Sequence, residues 1–453
     1  MKKLLLITLT FFLFSALFAQ EDDTVKPDSK KKKEKIKKGF SMGGVPVVAF
    51  DEDTGFKYGG LVNLYHYGDG SNYPNYNHSL YLEWSRTTKG SGINQLTYDA
   101  LTLIPKTRVT LDVAYLTEQA LNFYGFNGYQ AYYNSEFEKT ASSDYISRMY
   151  YRHSRKLFRT TIDFQGETKI KGLLWLAGLA HYRADISTVD IAKLNEGQDA
   201  EKILPDVDLL YDKFVNWGVI PADQAKGGNV SYLKLGAVYD TRDNEANPNK
   251  GLWSEALIVT APSFAGNDYG YSKILLTHRQ YFTLFPEKLS FAYRLSYQSK
   301  ISGEMPFYML PYATDSKATK DGLGGSKNLR GILRNRVVGD GVAFGNFELR
   351  SKLFKTIILN QNFYLGLNLF TDMGIVTKPY EFNFMPNQSS PLTVIQQADY
   401  DRLNNQNEGL HISYGAGLRF VINSNFIIAI DYGLASKKDD GTKGMYIGLN
   451  YLF

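Results

Sequence analysis

Hydrophobic and polar residues alternate along the last third of the chain, so every second side chain falls on the same face of an extended segment. The clearest case runs from Leu410 to Asn423. Its apolar face consists of Ile412, Tyr414, Ala416, Leu418, Phe420 and Ile422, and its other face of Ser413, Gly415, Gly417, Arg419 and Asn423. The segments 361–375 and 444–453 alternate in the same way. This period of two residues predicts β-strands.

The same signals recur along the chain and predict sixteen strands. Their ranges are 43–50, 56–67, 78–87, 93–104, 107–117, 145–166, 171–186, 231–241, 252–261, 269–284, 289–299, 342–355, 361–375, 410–422, 425–434 and 444–453. Residues 145–166 are interpreted as one bent strand. An even count of antiparallel strands is typical of bacterial outer-membrane barrels.

The predicted connections alternate between short turns and long loops, as they do in such barrels. Short turns are Pro105-Lys106, 286–288, 243–251 and Asn423-Ser424, whereas long loops are 118–144, 187–230, 300–341 and 376–409. Only the 68–77 turn is long for its end of the barrel. A soluble β-sandwich also alternates, but its exposed faces would carry more charge. We therefore predict an all-β, transmembrane antiparallel barrel over residues 43–453.

The first residues predict export from the cytoplasm. Two lysines precede an apolar run from Leu4 to Phe18, and Ala19 precedes a polar stretch, which is the layout of a signal peptide over residues 1–19. A signal anchor is the alternative, although the run is short for a membrane helix. Residues 20–42 form a short periplasmic segment. Its basic run, Lys30–Lys38, is either a solvated linker or an arm that contacts anionic lipid or a partner.

Composition and motifs exclude several function classes. The chain has no Cys, so neither a disulfide framework nor a lipoprotein anchor is expected. A net charge of +5 over 453 residues predicts no nucleic-acid partner. No His-Glu-x-x-His or Gly-x-Ser-x-Gly motif occurs, and the lumen-facing Asp240 and Arg242 are better explained as a structural ion pair. We therefore predict no catalytic residue, metal site or cofactor.

One long loop carries an arginine between small residues, in the sequence GGSKNLRGILRN from Gly324. On the next strand Glu348 shares a face with other charged residues, and this face must line the lumen because a charge facing mid-bilayer lipid costs ~2–4 kcal/mol. Asp372 lies in the lumen-facing register of the following strand. Arg330 can therefore bridge both carboxylates, and Gly324, Gly325 and Gly331 would let the loop fold sharply inward.

At these residues the sequence resembles the BamA–TamA superfamily of outer-membrane insertases and two-partner secretion transporters. The family's loop motif matches Leu329-Arg330-Gly331-Ile332, with Ile332 where an aromatic residue is usual, so we expect a less tightly packed tip. Its Gly-x-x-Glu motif matches Gly345 to Glu348, and its Phe-x-Asp-x-Gly motif matches Phe370 to Gly374. The segments YDTRDNEANPNKG, GAGLRF and AIDYG also resemble the family's surface-antigen barrel. The resemblance implies that Arg330, held by Glu348 and Asp372, locks the loop inside the lumen.

The resemblance further implies a protein that assists protein or lipid insertion, or translocation, through a seam between the first and last strands. The expected partners of this protein are outer-membrane lipids including lipopolysaccharide, unfolded outer-membrane protein clients and a periplasmic accessory protein. Residues 20–42 are too few for one of the family's periplasmic polypeptide-transport-associated domains. Both termini are expected in the periplasm, where Phe453 would close the last strand at the membrane interface. The alternatives are a plugged diffusion pore and a surface-exposed binding scaffold, and we predict no enzyme.

Overall fold

The computed structural model describes residues 36–51, 55–73, 75–316, 319–358, 361–382, 407–422, 426–449 and 451–453. The expected signal peptide, residues 20–35 and the Asn423-Ser424 turn lie outside the described residues, and so does most of the 376–409 loop. The expectations for these parts stay predictions. Within the described residues, no helix has the length and apolar character that crossing a membrane requires.

Sixteen antiparallel strands form one sheet, in which each strand pairs with its neighbours in chain order. They are β1 (Phe40–Asp51), β2 (Gly55–His66), β3 (His78–Thr87), β4 (Gly92–Ile104), β5 (Thr107–Asn122), β6 (Arg152–Glu167), β7 (Leu173–Ser187), β8 (Gly227–Asp240), β9 (Gly251–Ala261), β10 (Tyr271–Phe285), β11 (Leu289–Gly303), β14 (Gly341–Ile358), β15 (Gln361–Lys378), β16 (His411–Ile422), β17 (Phe426–Ala435) and β18 (Lys443–Leu449). The short strands β12 (Tyr312–Thr314) and β13 (Thr319–Asp321) pair with each other inside the β11–β14 connection. The predicted all-β class and strand number are confirmed.

The alternation along each strand separates an apolar outer face from a polar inner face. On β16, Tyr414 is 51% exposed and Leu418 38%, whereas Ser413 and Arg419 are 0% and 1% exposed. Side chains on the inner face satisfy one another across the lumen, while the outer face suits lipid. The sheet is thus an outer-membrane barrel wall with a charged interior.

The long connections, among them those after β5 and β7, lie at one end of the barrel, where they form a cap. The cap contains residues 123–151 and 188–226 and includes two short α-helices, Ile191–Asn195 and Leu210–Asn216. Its core is largely aromatic, with Phe123, Phe126, Tyr151, Phe214, Trp217, Phe307 and Tyr380 buried together. Aromatic rings bury a large area per residue, which explains how loops without long helices share one buried core.

Two predicted strands extend at least three residues beyond those observed. The strand expected over 145–166 begins only at Arg152, because Tyr150 and Tyr151 turn into the aromatic core of the cap. The strand expected over 444–453 ends at Leu449 in the described residues, and the chain then leaves the sheet. With 7 residues, β18 is the shortest of the sixteen sheet strands described.

The sheet has two edges, β1 and β18, and no ladder joins them in the part of the chain that the structure describes. β1 nevertheless lies close to the other end of the sheet: a Cβ on Gly43 of β1 would lie 3.0 Å from the ring of Phe426 on β17, the neighbour of β18. We call this boundary between β1 and β18 the seam.

Candidate functional site

The connection between β11 and β14, residues 304–340, begins in the aromatic core of the cap and then enters the lumen; we call it the lumen loop. Arg330 lies at its innermost turn and is 0% exposed. Asn328 shapes this turn, because its side-chain oxygen accepts from the backbone N–H groups of Gly324 (2.8 Å) and Leu329 (2.9 Å). Further along the loop, Arg336 donates to the carbonyl oxygens of Gly128 and Ala131, which ties the loop to the cap.

Arg330 and Asp372 form a forked pair. The Arg330 Nε and Nη2 atoms each lie 2.9 Å from a different oxygen of the Asp372 carboxylate. The backbone N–H of Arg330 donates to the same carboxylate at 3.0 Å. The guanidinium also stacks on Phe370, with its carbon 3.5 Å from the ring centre. This bidentate geometry fixes both the position and the orientation of the loop.

Glu348 completes the arrangement on the other side of Arg330. Its Oε1 atom lies 2.8 Å from Arg330 Nη1, but this contact is not aligned as a hydrogen bond and is an ion pair only. Its Oε2 atom accepts from Arg350 Nε at 2.8 Å. Burial lowers the pKa of Arg330, yet the carboxylates of Asp372 and Glu348 outweigh burial and raise that pKa above its ordinary value. The structure therefore brings Arg330, Glu348 and Asp372 together with the arginine charged.

Sequence reasoning missed three members of this network. Asp431 on β17 lies 3.6 Å from Arg330 and pairs with Arg419 at 2.8 Å. Asn346 donates to Asp372 at 2.8 Å. The sequence held a signal for each of them. Asn346 shares the inward register of Glu348, and Arg419 and Asp431 lie in the GAGLRF and AIDYG segments. Single-strand patterns do not show which charges meet across strands.

Two motif glycines make room for the tip of the loop. Gly331 has φ 94°, and a Cβ there would lie 2.7 Å from the backbone nitrogen of Leu434. A Cβ on Gly374 would lie 2.7 Å from the side chain of Leu329. Gly324 and Gly325 also have positive φ, at 119° and 80°, where the loop bends. Gly345 does not contact the loop, because its nearest neighbours are the side chains of Leu295 and Phe347.

The apolar residues of the tip are packed. Leu329 is 0% and Ile332 1% exposed, in a cluster with Leu323, Val337, Phe344 and Val376. The less tight packing expected for Ile332 is not found, since this side chain is buried in a cluster that is mainly aliphatic. The tip also reaches the last strand, where the backbone N–H of Gly331 donates to Tyr446 Oη at 3.0 Å.

Phe453 lies away from its expected position at the membrane interface. It is 8% exposed and packs in the lumen against Tyr281 and Ala292. Its backbone oxygen accepts from Arg350 at 3.0 Å, and the Arg350 guanidinium lies 5.0 Å from its ring centre. These contacts with Arg350 explain the inward position, because they pair a cation with both the ring and the carbonyl.

The turn between β8 and β9 lies across the opposite mouth of the barrel from the cap. Glu245 pairs with Arg108 of β5 at 3.0 Å, and Asn247 donates to Tyr364 of β15 at 2.7 Å. Arg242 and Asp240 form the expected ion pair, at 2.7 Å. A cavity of about 470 Å³ separates this turn from the loop tip. Among the described residues, no group of three or more His, Cys, Asp or Glu could hold a metal ion.

Comparison with known proteins agrees with this geometry. The family model of the Omp85 superfamily domain matches residues 122–453, which is well over half of the chain. The chain belongs to the Omp85 superfamily. Omp85 proteins are β-barrels of the bacterial outer membrane that insert or transport proteins, so the resemblance carried by the three motifs is confirmed.

A solved structure shares the fold at low sequence identity. CdiB from Escherichia coli superimposes with a TM-score of 0.52 at 10% identity, over 91% of this chain and 62% of that chain. BamA from Haemophilus ducreyi lacking POTRA domains 1–3 gives a TM-score of 0.49 at 16% identity, over 91% of this chain and 70% of that chain. This chain thus spans under two thirds of the length of that CdiB. Among curated proteins, no sequence matches this one.

Proposed function

We propose that this Omp85 barrel assists the insertion or translocation of proteins at the bacterial outer membrane, through the seam between β1 and β18. Its clients would be unfolded outer-membrane proteins, delivered from the periplasm by an accessory protein. Both termini would lie in the periplasm and the cap outside the cell. Outer-membrane lipid, including lipopolysaccharide, would surround the wall.

The observation that carries this proposal is the incomplete pairing at the seam. Among the described residues no ladder joins β1, with 12 residues, to β18, with 7, whereas the other neighbouring strands form ladders. Unpaired strand edges in lipid are costly because the backbone groups find no water. An edge of this kind can be satisfied by a strand from another chain, which is the chemistry that insertion needs.

The loop contacts support a second element of the proposal, that Arg330 locks the lumen loop beside the seam. Arg330 is held by charges on β14 and β15, and its neighbour Gly331 bonds to Tyr446 on β18. The loop thus connects the rigid interior of the sheet to its last strand. Fixing the loop would limit how far β18 moves when the seam opens.

A disulfide across the seam tests the proposal. The chain has no cysteine, so pairs placed in β1 and β18 can be oxidised without competition. We expect the oxidised form to lose insertion of an unfolded outer-membrane protein into liposomes and to regain it on reduction. The matched control is a Val45–Leu61 cysteine pair, which joins residues directly opposite each other on β1 and β2 and leaves the seam free.

Insertion that continues with the seam oxidised would overturn the proposal and favour a scaffold. Conductance through planar bilayers distinguishes the remaining alternative, a plugged diffusion pore, from an insertase. A plugged pore would conduct equally with the seam oxidised or reduced, because its path runs through the lumen.

A further inference from the structure

A second segment of the lumen loop, Tyr312–Ser316, lies against the strands β6 to β11, which we call the far wall. It includes β12 and is extended, with Tyr312, Ala313 and Thr314 paired to β13. Its residues are almost completely buried, with Thr314 6% and Ser316 0% exposed. The far wall therefore holds a short extended peptide inside the lumen.

Side chains of the far wall bind the main chain of this segment. The clearest case is Gln298, whose amide donates to the carbonyl of Thr314 at 2.7 Å and accepts from the N–H of Thr314 at 3.2 Å. The N–H of Ser316 donates to Glu255 at 2.9 Å. Three more carbonyls accept from the wall: Tyr312 from Lys273 (3.3 Å), Asp315 from Lys234 (3.5 Å) and Ser316 from Gln165 (3.4 Å).

Binding of this kind does not depend on the sequence of the bound segment, because every residue except proline offers the same N–H and C=O groups. Side-chain recognition adds two contacts. Asp315 pairs with Arg279 at 2.9 Å, and Tyr312 Oη accepts from Arg155 at 3.0 Å. These two contacts favour the loop's own segment over any other extended chain.

The wall side chains need an occupant. Gln165, Glu255, Lys273 and Gln298 are between 3% and 8% exposed while the segment is bound, and its departure would remove the main-chain partners of these donors and acceptors. A cavity of about 470 Å³ reaches Arg279 and Asp315 and so opens next to the segment. A different extended chain could enter there and form the same main-chain hydrogen bonds in place of the segment.

We propose that the far wall is a binding site for extended polypeptides, recognised through their main chain, and that Tyr312–Ser316 occupies this site in the resting protein. This inference rests on the proposed function, since a protein that handles unfolded chains encounters such ligands. The loop segment acts as an internal competitor. Release of the segment exposes the site to a client.

Peptide binding to the purified full chain tests the inference. The probe is a short fluorescein-labelled peptide of alternating Thr and Val, followed by fluorescence anisotropy. The double variant Tyr312→Ala, Asp315→Ala removes the two side-chain contacts of the internal competitor and leaves the wall intact. We expect it to bind the probe roughly tenfold tighter than the parent protein, since each lost contact weakens the competitor.

Two matched controls identify main-chain recognition. Addition of Gln298→Ala to the double variant should return binding to the parent level. A probe of the same sequence with N-methyl groups on alternate residues should bind weakly, whereas a shuffled Thr and Val sequence should bind equally well. Equal binding to parent and double variant, or equal binding of the N-methylated probe, would overturn the inference.

If the double variant does not fold, as judged by heat-dependent migration on gels, a crosslinking experiment tests the inference instead. A photoreactive residue at Ser296, which lines the same recess as Thr314 and Asp315, is placed in the otherwise unchanged chain. Probe captured there in competition with unlabelled peptide supports the site, and capture without competition contradicts it. Peptide binding without insertion activity in liposomes would contradict only the proposed function. Insertion activity without peptide binding would contradict only this inference.

Discussion

The lumen loop is held by two walls in two different ways. On the seam side, β14 to β18, an arginine side chain meets carboxylate side chains: Arg330 pairs with Asp372 and Glu348. On the far wall, β6 to β11, wall side chains meet the main chain of Tyr312–Ser316. The first contact requires particular residues at both ends. The second requires them only on the wall.

This difference indicates distinct roles. A side-chain lock with bidentate geometry is specific and strong, and it accepts one occupant. A main-chain cradle tolerates many occupants and holds each less tightly. The loop thus has a fixed anchor near the seam and an exchangeable contact across the lumen.

Arg330→Ala should have the largest effect on this arrangement. Two buried carboxylates would lose their common partner, which typically costs about 3–5 kcal/mol of unfolding free energy, less where lumen water enters. We expect a lower temperature for heat-dependent gel migration, faster proteolysis of the loop and higher conductance. Arg330→Lys should recover only part, because it keeps the charge without the fork.

The matched control is Arg334→Ala on the same loop, whose side chain is 39% exposed and pairs with Glu118. It should change the unfolding free energy by less than about 1 kcal/mol. Equal effects of the two substitutions would remove the special role of Arg330.

Asp372→Asn should come next. The Asp372 carboxylate accepts two hydrogen bonds from the Arg330 guanidinium and one from the Arg330 backbone N–H. An asparagine would place its NH₂ group, which is a hydrogen-bond donor, against one of these donors. We expect a loss of about 3 kcal/mol by urea unfolding. Glu348→Gln also weakens the pairing of Glu348 with Arg350, so its loss of unfolding free energy does not report on Arg330 alone. Release of the loop tip to protease does, and we expect less of it than in Asp372→Asn, because Glu348 contacts Arg330 through an ion pair without an aligned hydrogen bond. More tip release in Glu348→Gln would show that Glu348 is the main partner of Arg330.

Gly331→Ala should have an intermediate effect. An alanine at φ 94° is strained by about 1–3 kcal/mol, and its Cβ would meet the backbone of β17. We expect the tip to withdraw, which limited proteolysis of the loop would detect. Gly448→Ala on β18, where a Cβ would meet nothing within 4 Å, is the control, and a similar cleavage rate in both would contradict the close packing.

Gln298→Ala should have the smallest effect, about 1–2 kcal/mol, because it removes two neutral hydrogen bonds from the loop. Hydrogen exchange at Thr314 should accelerate while the Arg330 tip stays protected. Gln280→Ala on β10 is the control, since its side chain bonds to Tyr293 on the outer face. An unprotected tip in Gln298→Ala would mean that the two walls do not hold the loop independently.

Much of the fold follows from the sequence because strand patterning is local. The inward register of Glu348 and Asp372 followed from alternation alone, since a one-residue shift would place both charges in lipid. The Arg330 site followed because both partners lie on the next two strands. The start of β6 did not, because Tyr150 and Tyr151 are aromatic residues that favour a strand but pack in the cap.

The far wall could not be predicted from the sequence for a physical reason. A main chain is the same at every residue, so Tyr312–Ser316 carries no motif for the bonds it makes. The position of Phe453 was not predicted for another reason, because its contacts with Arg350 join residues 103 positions apart in the sequence. Only the folded lumen shows such partners.

The position of the loop tip can be measured directly with a cysteine at Ser326, which lines the lumen cavity. An impermeant maleimide added to intact cells should leave this cysteine unlabelled while labelling one at Asp206, an exposed residue of the cap. Adding Arg330→Ala and Gln298→Ala together should make Ser326→Cys reactive. Labelling of Ser326→Cys in the otherwise unchanged protein, at the rate seen for Asp206→Cys, would show that the loop lies outside the barrel and would contradict the two-wall account.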